Sequence, residues 1–153
     1  MLLFVTVIIG CKSKAIVNTK LDHKTERMLK GNWTLTAVNF VGSDYLKVNS
    51  FNLEDSKCFI GSDWSFVSNN NKGEMKLNSM SNSCKEFSSP ITWYINKDGN
   101  FVLKIINSYK AKEVNNGFVL KIQNATETNF DLVDTMNVAG SIKNITYSFQ
   151  KNN

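Results

Sequence analysis

The chain is poor in the residues on which most catalytic and metal sites depend. It has a single histidine, His23, a single proline and a single arginine among 153 residues. No second histidine is present to build a histidine-rich metal site or a conventional catalytic triad, and the spacings C-x-x-C and H-x-x-x-H are missing. The phosphate loops G-x-x-x-x-G-K and G-x-G-x-x-G and the nucleophile elbow G-x-S-x-G are missing too. We therefore predict a protein that is not an enzyme and needs no metal or cofactor, with His23 in solvent.

Basic side chains exceed acidic ones, 18 to 13, but they form no cluster. The lysines are scattered singly through segments of alternating polarity, whereas nucleic-acid binding needs a concentrated basic surface. We predict no nucleic-acid partner. The acidic pairs, Glu54 with Asp55 and Asp131 with Asp134, fall in loops or alternating segments, so we expect them on solvated faces and not as an acid-base pair.

The chain has no apolar run of the roughly 20 residues that a membrane-spanning helix needs. Its apolar start, from Leu2 to Gly10, has a length typical of the h-region of a signal peptide, although no Lys or Arg precedes it. Together with Cys11 it resembles a bacterial lipobox, in which aliphatic and small residues precede a cysteine that is acylated, with palmitate for example, before cleavage on its amino side. The alternative is an apolar N-terminal strand with a buried Cys11.

This resemblance implies a lipoprotein of the cell envelope. Residues 1–10 would be a type II signal peptide, residues 11–20 a lipidated tether and residues 21–153 the folded domain. The acyl chains on Cys11 would be a membrane anchor, because more than one chain gives stable attachment. The protein would then lie at the outer membrane or on the periplasmic face of the envelope.

Two cysteines, Cys58 and Cys84, remain once Cys11 is assigned to lipid. Outside the cytoplasm such a pair can oxidise, so we predict a disulfide between them. A bridge that closes a loop of roughly 25 residues is worth about 3 kcal/mol if it acts by constraining the unfolded chain. The alternative is two independent buried thiols.

Most of the chain alternates apolar and polar residues with a period of two, which is typical of half-buried strands. A short helix, DHKTERMLK at residues 22–30, precedes them and stops at Gly31. Turn residues such as Asp98-Gly99 separate the segments, so consecutive strands should pair as antiparallel neighbours. The eight predicted strands contain Trp33, Leu35 and Ala37; Trp64 and Phe66; Met75 and Leu77; Ile91, Trp93 and Ile95; Phe101, Leu103 and Ile105; Phe118, Leu120 and Ile122; Phe130 and Leu132; and Ile145, Tyr147 and Phe149.

These strands predict an all-β protein. An eight-stranded antiparallel up-and-down barrel is favoured over a small sandwich, because closure removes the exposed edges of an open sheet. The segment from Phe40 to Ile60 lacks clean alternation and predicts a long first loop with a short helical turn around Asp44 to Leu46. Loops of this length are often functional. The one proline, Pro90, is expected just before a strand.

The sequence Gly31-Asn32-Trp33, where the helix leads into the first strand, resembles the lipocalin signature. The stretch from Cys58 to Phe66, the Asn-rich turn after it and the later Cys84 are similar to the lipocalin-like lipoproteins of Bacteroidetes. The resemblance implies that Gly31 permits a sharp start to the strand and that Trp33 plugs the closed end of the barrel. The chain departs from the family in having no Thr-Asp-Tyr triplet and no arginine near the last strand to lie over Trp33.

By this resemblance the protein would bind a small hydrophobic ligand inside the barrel, reached at the end ringed by the long loop. Such pockets are mostly apolar with a few polar groups. Two alternatives stay open: a packed barrel that presents the loop from Phe40 to Ile60 to a protein partner, and an enzyme that acts on an envelope component, since a fold does not fix a function. The candidate cavity-lining residues are Trp64, Phe66, Trp93, Phe101, Leu103, Phe118, Phe130 and Tyr147.

Overall fold

The computed structural model describes residues 23–42, 46–78, 82–107 and 117–153, so the predictions for residues 1–22, Cys11 included, lie outside the described residues. One α-helix in the described part, α1 (His23–Leu29), matches the helix predicted at 22–30, and no helix there is long and apolar enough to cross a membrane. The strands are β1 (Gly31–Phe40), β2 (Asn49–Ser50), β3 (Glu54–Asp55), β4 (Asp63–Val67), β5 (Lys72–Leu77), β6 (Phe87–Ile95), β7 (Phe101–Ile105), β8 (Phe118–Gln123), β9 (Asn129–Val138) and β10 (Ser141–Lys151).

Eight of these strands close into a barrel in the order β1, β10, β9, β8, β7, β6, β5, β4. Every neighbouring pair is antiparallel, and β1 lies between β10 and β4. Each strand therefore lies beside the next in the chain, apart from the closing pair of β1 with β10. The predicted up-and-down barrel is confirmed, and all eight predicted strands are present.

The alternation of the sequence determines which side chains enter the barrel. In β6, for example, Ile91, Trp93 and Ile95 are buried, whereas Tyr94 faces outward. Successive side chains of a strand point to opposite faces, so one apolar set fills the interior and the polar set meets water. Pro90 lies within β6, opposite Glu74 of β5, and not just before the strand as expected.

Short turns join the strands at both ends of the barrel. Asp98-Gly99 forms the predicted hairpin between β6 and β7, with Gly99 at φ +78°. Gly73 lies in β5, where an added Cβ would press against the carbonyl oxygen of Ser65. Glycine is required at that position because the two backbones approach too closely for any side chain.

The two ends of the barrel differ in how they are covered. Helix α1 and the turns that follow β4, β6 and β8 lie at one end, called here the α1 end. The connection between β1 and β4, the connections that follow β5 and β7, and the turn between β9 and β10 lie at the other end, called here the mouth. The first of these connections is by far the longest described one, which confirms the predicted long loop.

The long loop has its own local structure. Strands β2 and β3 pair only with each other, in a two-stranded sheet separate from the barrel. A 3-10 helix, Ser56–Phe59, follows, and the Asp55 side chain accepts a hydrogen bond from the Lys57 amide at 2.9 Å at its start. The helical turn predicted around Asp44 falls mostly outside the described residues, so the turn found at Ser56–Phe59 is a separate one.

Candidate functional site

Trp33 lies at the α1 end, two residues after the glycine of the G-x-W sequence. Its indole is fully buried, at 0% exposure, and its Nε1 donates a hydrogen bond to the Leu29 carbonyl of α1 at 2.8 Å. Gly31 adopts φ +132°, a conformation that favours glycine, so the chain can turn from the helix into β1. The indole thus joins the helix to the barrel interior.

A cation lies over Trp33, although the sequence offers no arginine there. The Lys151 ammonium, near the end of β10, is 5.3 Å from the centroid of the Trp33 ring. Such a contact is worth about 0.5–1 kcal/mol at a partly exposed site. Lys151 was missed by sequence reasoning because a lysine at a strand end carries no periodic signal.

The α1 half of the barrel is packed with aromatic rings. Phe66 is at the centre, with ring centroids at 5.3 Å from Trp93 and 5.6 Å from Phe101. Phe130 stacks on Phe149 at 4.6 Å and meets Trp33 edge-on at 4.7 Å. Four of the predicted cavity-lining residues therefore pack together as core: Phe66, Trp93, Phe101 and Phe130. A fifth, Leu103, is buried in the same core.

The mouth holds a second aromatic group, built around a residue that the sequence did not single out. Phe51, in the turn between β2 and β3, inserts its ring into the barrel end and is buried. Its ring centroid lies 5.1 Å from that of Tyr147 and 5.3 Å from those of Phe59 and Phe118. Trp64, at 6.3 Å, lies beneath it. Three predicted lining residues, Trp64, Phe118 and Tyr147, thus surround Phe51.

The backbone that carries Phe51 is in an unfavourable conformation. Phe51 and Asn52 both have φ +54°, in the left-handed region that non-glycine residues rarely adopt. Close by, the Ser56 hydroxyl is buried with no hydrogen-bond partner in the described part of the chain. The left-handed backbone of a residue such as Phe51 costs on the order of 1–3 kcal/mol of folding free energy, and it persists only where the surrounding structure holds it.

Two polar groups reach into the mouth from the last two strands. The Tyr147 hydroxyl is within 2.6 Å of the Ser50 hydroxyl, which attaches the β2–β3 hairpin to β10. Burial is the main cause that raises the pKa of Tyr147, so its hydroxyl stays protonated. Asp134 of β9 is paired with Ile145, two residues before Tyr147 on β10, and its negative charge contributes to the same rise in the pKa of Tyr147.

Asp134 was expected on a solvated face, and that expectation is wrong. It follows Phe130 and Leu132 with the same period of two, and it is paired in register with the fully buried Ile145. Its half-buried side chain therefore shares the inner face of the barrel. Burial raises the pKa of Asp134 above its ordinary 3.8, while a hydrogen bond from the Thr135 backbone lowers it.

Asp134→Asn is expected to raise the melting temperature at pH 7. The raised pKa means that the ionised carboxylate destabilises the folded state, and asparagine removes that charge. The difference between variant and parent should decrease as the pH falls through the raised pKa and vanish below about 3.8, where the acid is protonated in both states. Thermal unfolding of both proteins across this pH range is the measurement. Equal stability at pH 7 would contradict the inward position of the carboxylate.

The predicted disulfide is present. Cys58 and Cys84 are joined at 2.07 Å, with their Cα atoms 5.4 Å apart. Cys58 belongs to the 3-10 helix of the long loop, and Cys84 to the connection between β5 and β6. The bridge therefore ties two connections of the mouth together and limits how far the loop can move away from the barrel.

Two other places on the molecule bring polar groups together, but these groups already have partners in the protein. At the α1 end, the buried Glu26 accepts contacts from the Ile95 amide at 3.4 Å and from the Asn71 side chain at 3.5 Å, and the solvent-exposed His23 lies 3.4 Å away. On the outer face, a groove of about 340 Å³ lies between β1, β4 and β5. Of its charged groups, Asp63 and Glu74 accept hydrogen bonds from neighbouring side chains, and the Lys76 ammonium lies 3.8 Å from the Glu86 carboxylate. The described residues contain no group of three His, Cys, Asp or Glu side chains suited to a metal ion.

The chain is similar to known proteins in its fold and not in its sequence. No protein-family model matches the chain, and no curated protein matches it in sequence. Among solved structures, an odorant-binding protein aligns over 83% of this chain and 73% of its own, with a TM-score of 0.50 and 8% identity. The fold is lipocalin-like. Bovine odorant-binding protein with its natural ligand (82% and 72%, TM-score 0.48, 15% identity) and lobster apocrustacyanin A1 (90% and 70%, TM-score 0.48, 13% identity) are further similar structures.

Proposed function

We propose that the protein is a lipid-anchored, lipocalin-like binding protein that holds a small, mostly apolar molecule in the mouth of its barrel. The observation that carries this proposal is the position of Phe51. Its ring, supplied by a loop, occupies a site formed by Phe59, Phe118 and Tyr147. A planar apolar group is thus already accommodated in the mouth, and a ligand of similar shape would replace it.

Displacement of Phe51 would leave the barrel intact. The hairpin that carries the ring pairs only with itself, so its movement breaks no hydrogen bond between barrel strands, although it gives up the hydrogen bond between the Ser50 and Tyr147 hydroxyls. Exposing a buried phenylalanine costs about 1.5–3 kcal/mol. Relief of the left-handed conformation of Phe51, worth on the order of 1–3 kcal/mol, offsets part of that cost. An apolar ligand that fills the vacated site supplies the rest.

The test compares two phenylalanines of the barrel interior. Phe51→Ala removes the competing ring, so we expect N-phenyl-1-naphthylamine, a neutral fluorescent apolar probe, to bind at least about tenfold more tightly than it does to the parent. The control is Phe130→Ala, which removes an equally buried ring at the α1 end. A similar gain in both variants would contradict a site at the mouth. No binding to either variant or to the parent would contradict the proposed function itself.

A packed barrel that acts through its surface is the second candidate. It is favoured by the contiguous ring contacts that run from Trp33 to Tyr147 through the interior. The loop begins with Val41, which is 84% exposed and available to a protein partner. In that case Phe51→Ala would create a cavity with a loss of stability and no change in the affinity of any apolar probe.

The anchor is proposed on the lipobox-like sequence that ends at Cys11. Acylation of this cysteine would hold the barrel at a membrane of the cell envelope, with residues 12–20 as the tether. Growth of a bacterial host with an alkyne-labelled fatty acid should label the protein, and Cys11→Ser should abolish the label. An unlabelled parent protein would refute the anchor while leaving the binding proposal in place.

A further inference from the structure

We propose that the ligand of the mouth is a small organic cation, a protonated amine with an apolar body, whose ammonium group is held by the carboxylate of Asp134. This inference rests on the function proposed above and names the chemistry of its ligand. It is carried by three features of the mouth: the inward position of this one carboxylate, the lack of a cationic partner for it in the described residues, and the aromatic wall beside it.

The position of Asp134 is unusual for a charged residue. Along β9 it lies between Leu132 and Met136, which share its face, and across the sheet it meets Ile145. These neighbours are apolar and buried or half-buried, so the carboxylate has given up part of its hydration. The raised pKa of Asp134 reports the same desolvation. A side chain that costs stability at such a place is typical of a binding site.

The charge of Asp134 is not matched within the described part of the protein. The two ion pairs found there join His23 to Glu26 and Lys76 to Glu86. Lys121 of β8 is paired with Val133, whose side chain points to the opposite face from that of Asp134. Lys143 of β10 is paired with Met136, on the same face as Asp134, but its ammonium donates a hydrogen bond to the Val41 carbonyl at 2.7 Å. The carboxylate therefore receives only the backbone hydrogen bond of Thr135 there.

A cation with an apolar body fits these surroundings better than other small molecules. A charge-assisted hydrogen bond to a carboxylate is roughly twice as strong as a neutral one, whereas an anionic ligand would be repelled. The aromatic faces of Tyr147 and Phe118 add attraction for a positive charge. The apolar body would take the site of the Phe51 ring, which is itself in contact with both of these rings.

The experiment uses three probes with one apolar tail: decylamine, decanol and decanoate, titrated at pH 7 into the full chain and followed by tryptophan fluorescence. We expect decylamine to bind about tenfold more tightly than decanol, and decanoate to bind most weakly. Asp134→Asn should lower the affinity for decylamine about tenfold and leave that for decanol unchanged. The matched control is Asp131→Asn, three residues earlier on β9 and facing outward, which should change neither affinity.

The outcomes separate the two proposals. Equal binding of the three probes, or decylamine binding that does not respond to Asp134→Asn, overturns the amine inference and leaves the binding function standing. Tightest binding of decanoate also overturns it and points to Lys143 as the partner. If none of the three probes binds to the parent protein or to Phe51→Ala, the binding function fails together with the inference.

Discussion

Trp33→Ala is expected to lower the free energy of unfolding by about 3–5 kcal/mol. The indole is fully buried, donates a hydrogen bond to the last turn of α1 and meets the Phe130 ring edge-on. Alanine leaves a large cavity, removes the hydrogen bond to the Leu29 carbonyl and weakens the attachment of α1 to the barrel. Urea unfolding followed by circular dichroism measures the change.

The control for this variant is Tyr94→Ala. Tyr94 is an aromatic residue of the outer face and is 41% exposed, so its removal should cost less than about 1 kcal/mol. An effect of Trp33→Ala as small as that of the control would contradict the role of Trp33 as the floor of the barrel.

Removal of the disulfide is the second large effect. The double variant Cys58→Ser, Cys84→Ser is expected to have a free energy of unfolding lower by about 3 kcal/mol. Without the bridge, the unfolded chain regains the conformational freedom that closing a loop with a sequence separation of 26 residues removes. Chemical unfolding of the parent protein with and without reductant, compared with the double variant, is the measurement.

The same variant also tests how the long loop is held. Without the bridge, the 3-10 helix that precedes β4 is no longer tied to the connection after β5, so Phe51 should leave the mouth more readily. We expect faster proteolysis within residues 46–60 and tighter binding of the neutral apolar probe. A variant with unchanged stability and unchanged proteolysis would show that the bridge does not hold the loop.

The barrel was predictable because its signal is local and repeated. Segments such as Ile91, Trp93 and Ile95 alternate strictly, and tight turns such as Asp98-Gly99 give each strand an obvious neighbour. A sheet of consecutive antiparallel strands has two exposed edge strands, and closing the sheet into a barrel removes both edges. The Trp33 position and the pairing of Cys58 with Cys84 followed from short motifs and from the count of cysteines.

The site was harder to predict because it depends on contacts distant in the sequence. Phe51 lies in a segment without periodicity, and its burial depends on positive φ angles and on rings from β8 and β10. Asp134 had a usable signal, since the alternation of Phe130 and Leu132 continues to it. That signal was outweighed by the expectation that acidic residues face water, which fails at the mouth of a barrel.

Whether the mouth holds a small molecule in the place of Phe51 is best measured by native mass spectrometry of the chain from Lys12 onward, purified from its own host without a denaturing step. We expect a discrete added mass that is lost on mild activation. Addition of decylamine to ligand-free protein in solution should give a complex heavier by the mass of decylamine. A bare polypeptide mass that fails to shift with amines, alcohols or fatty acids would contradict the account and leave a packed barrel that works through its surface.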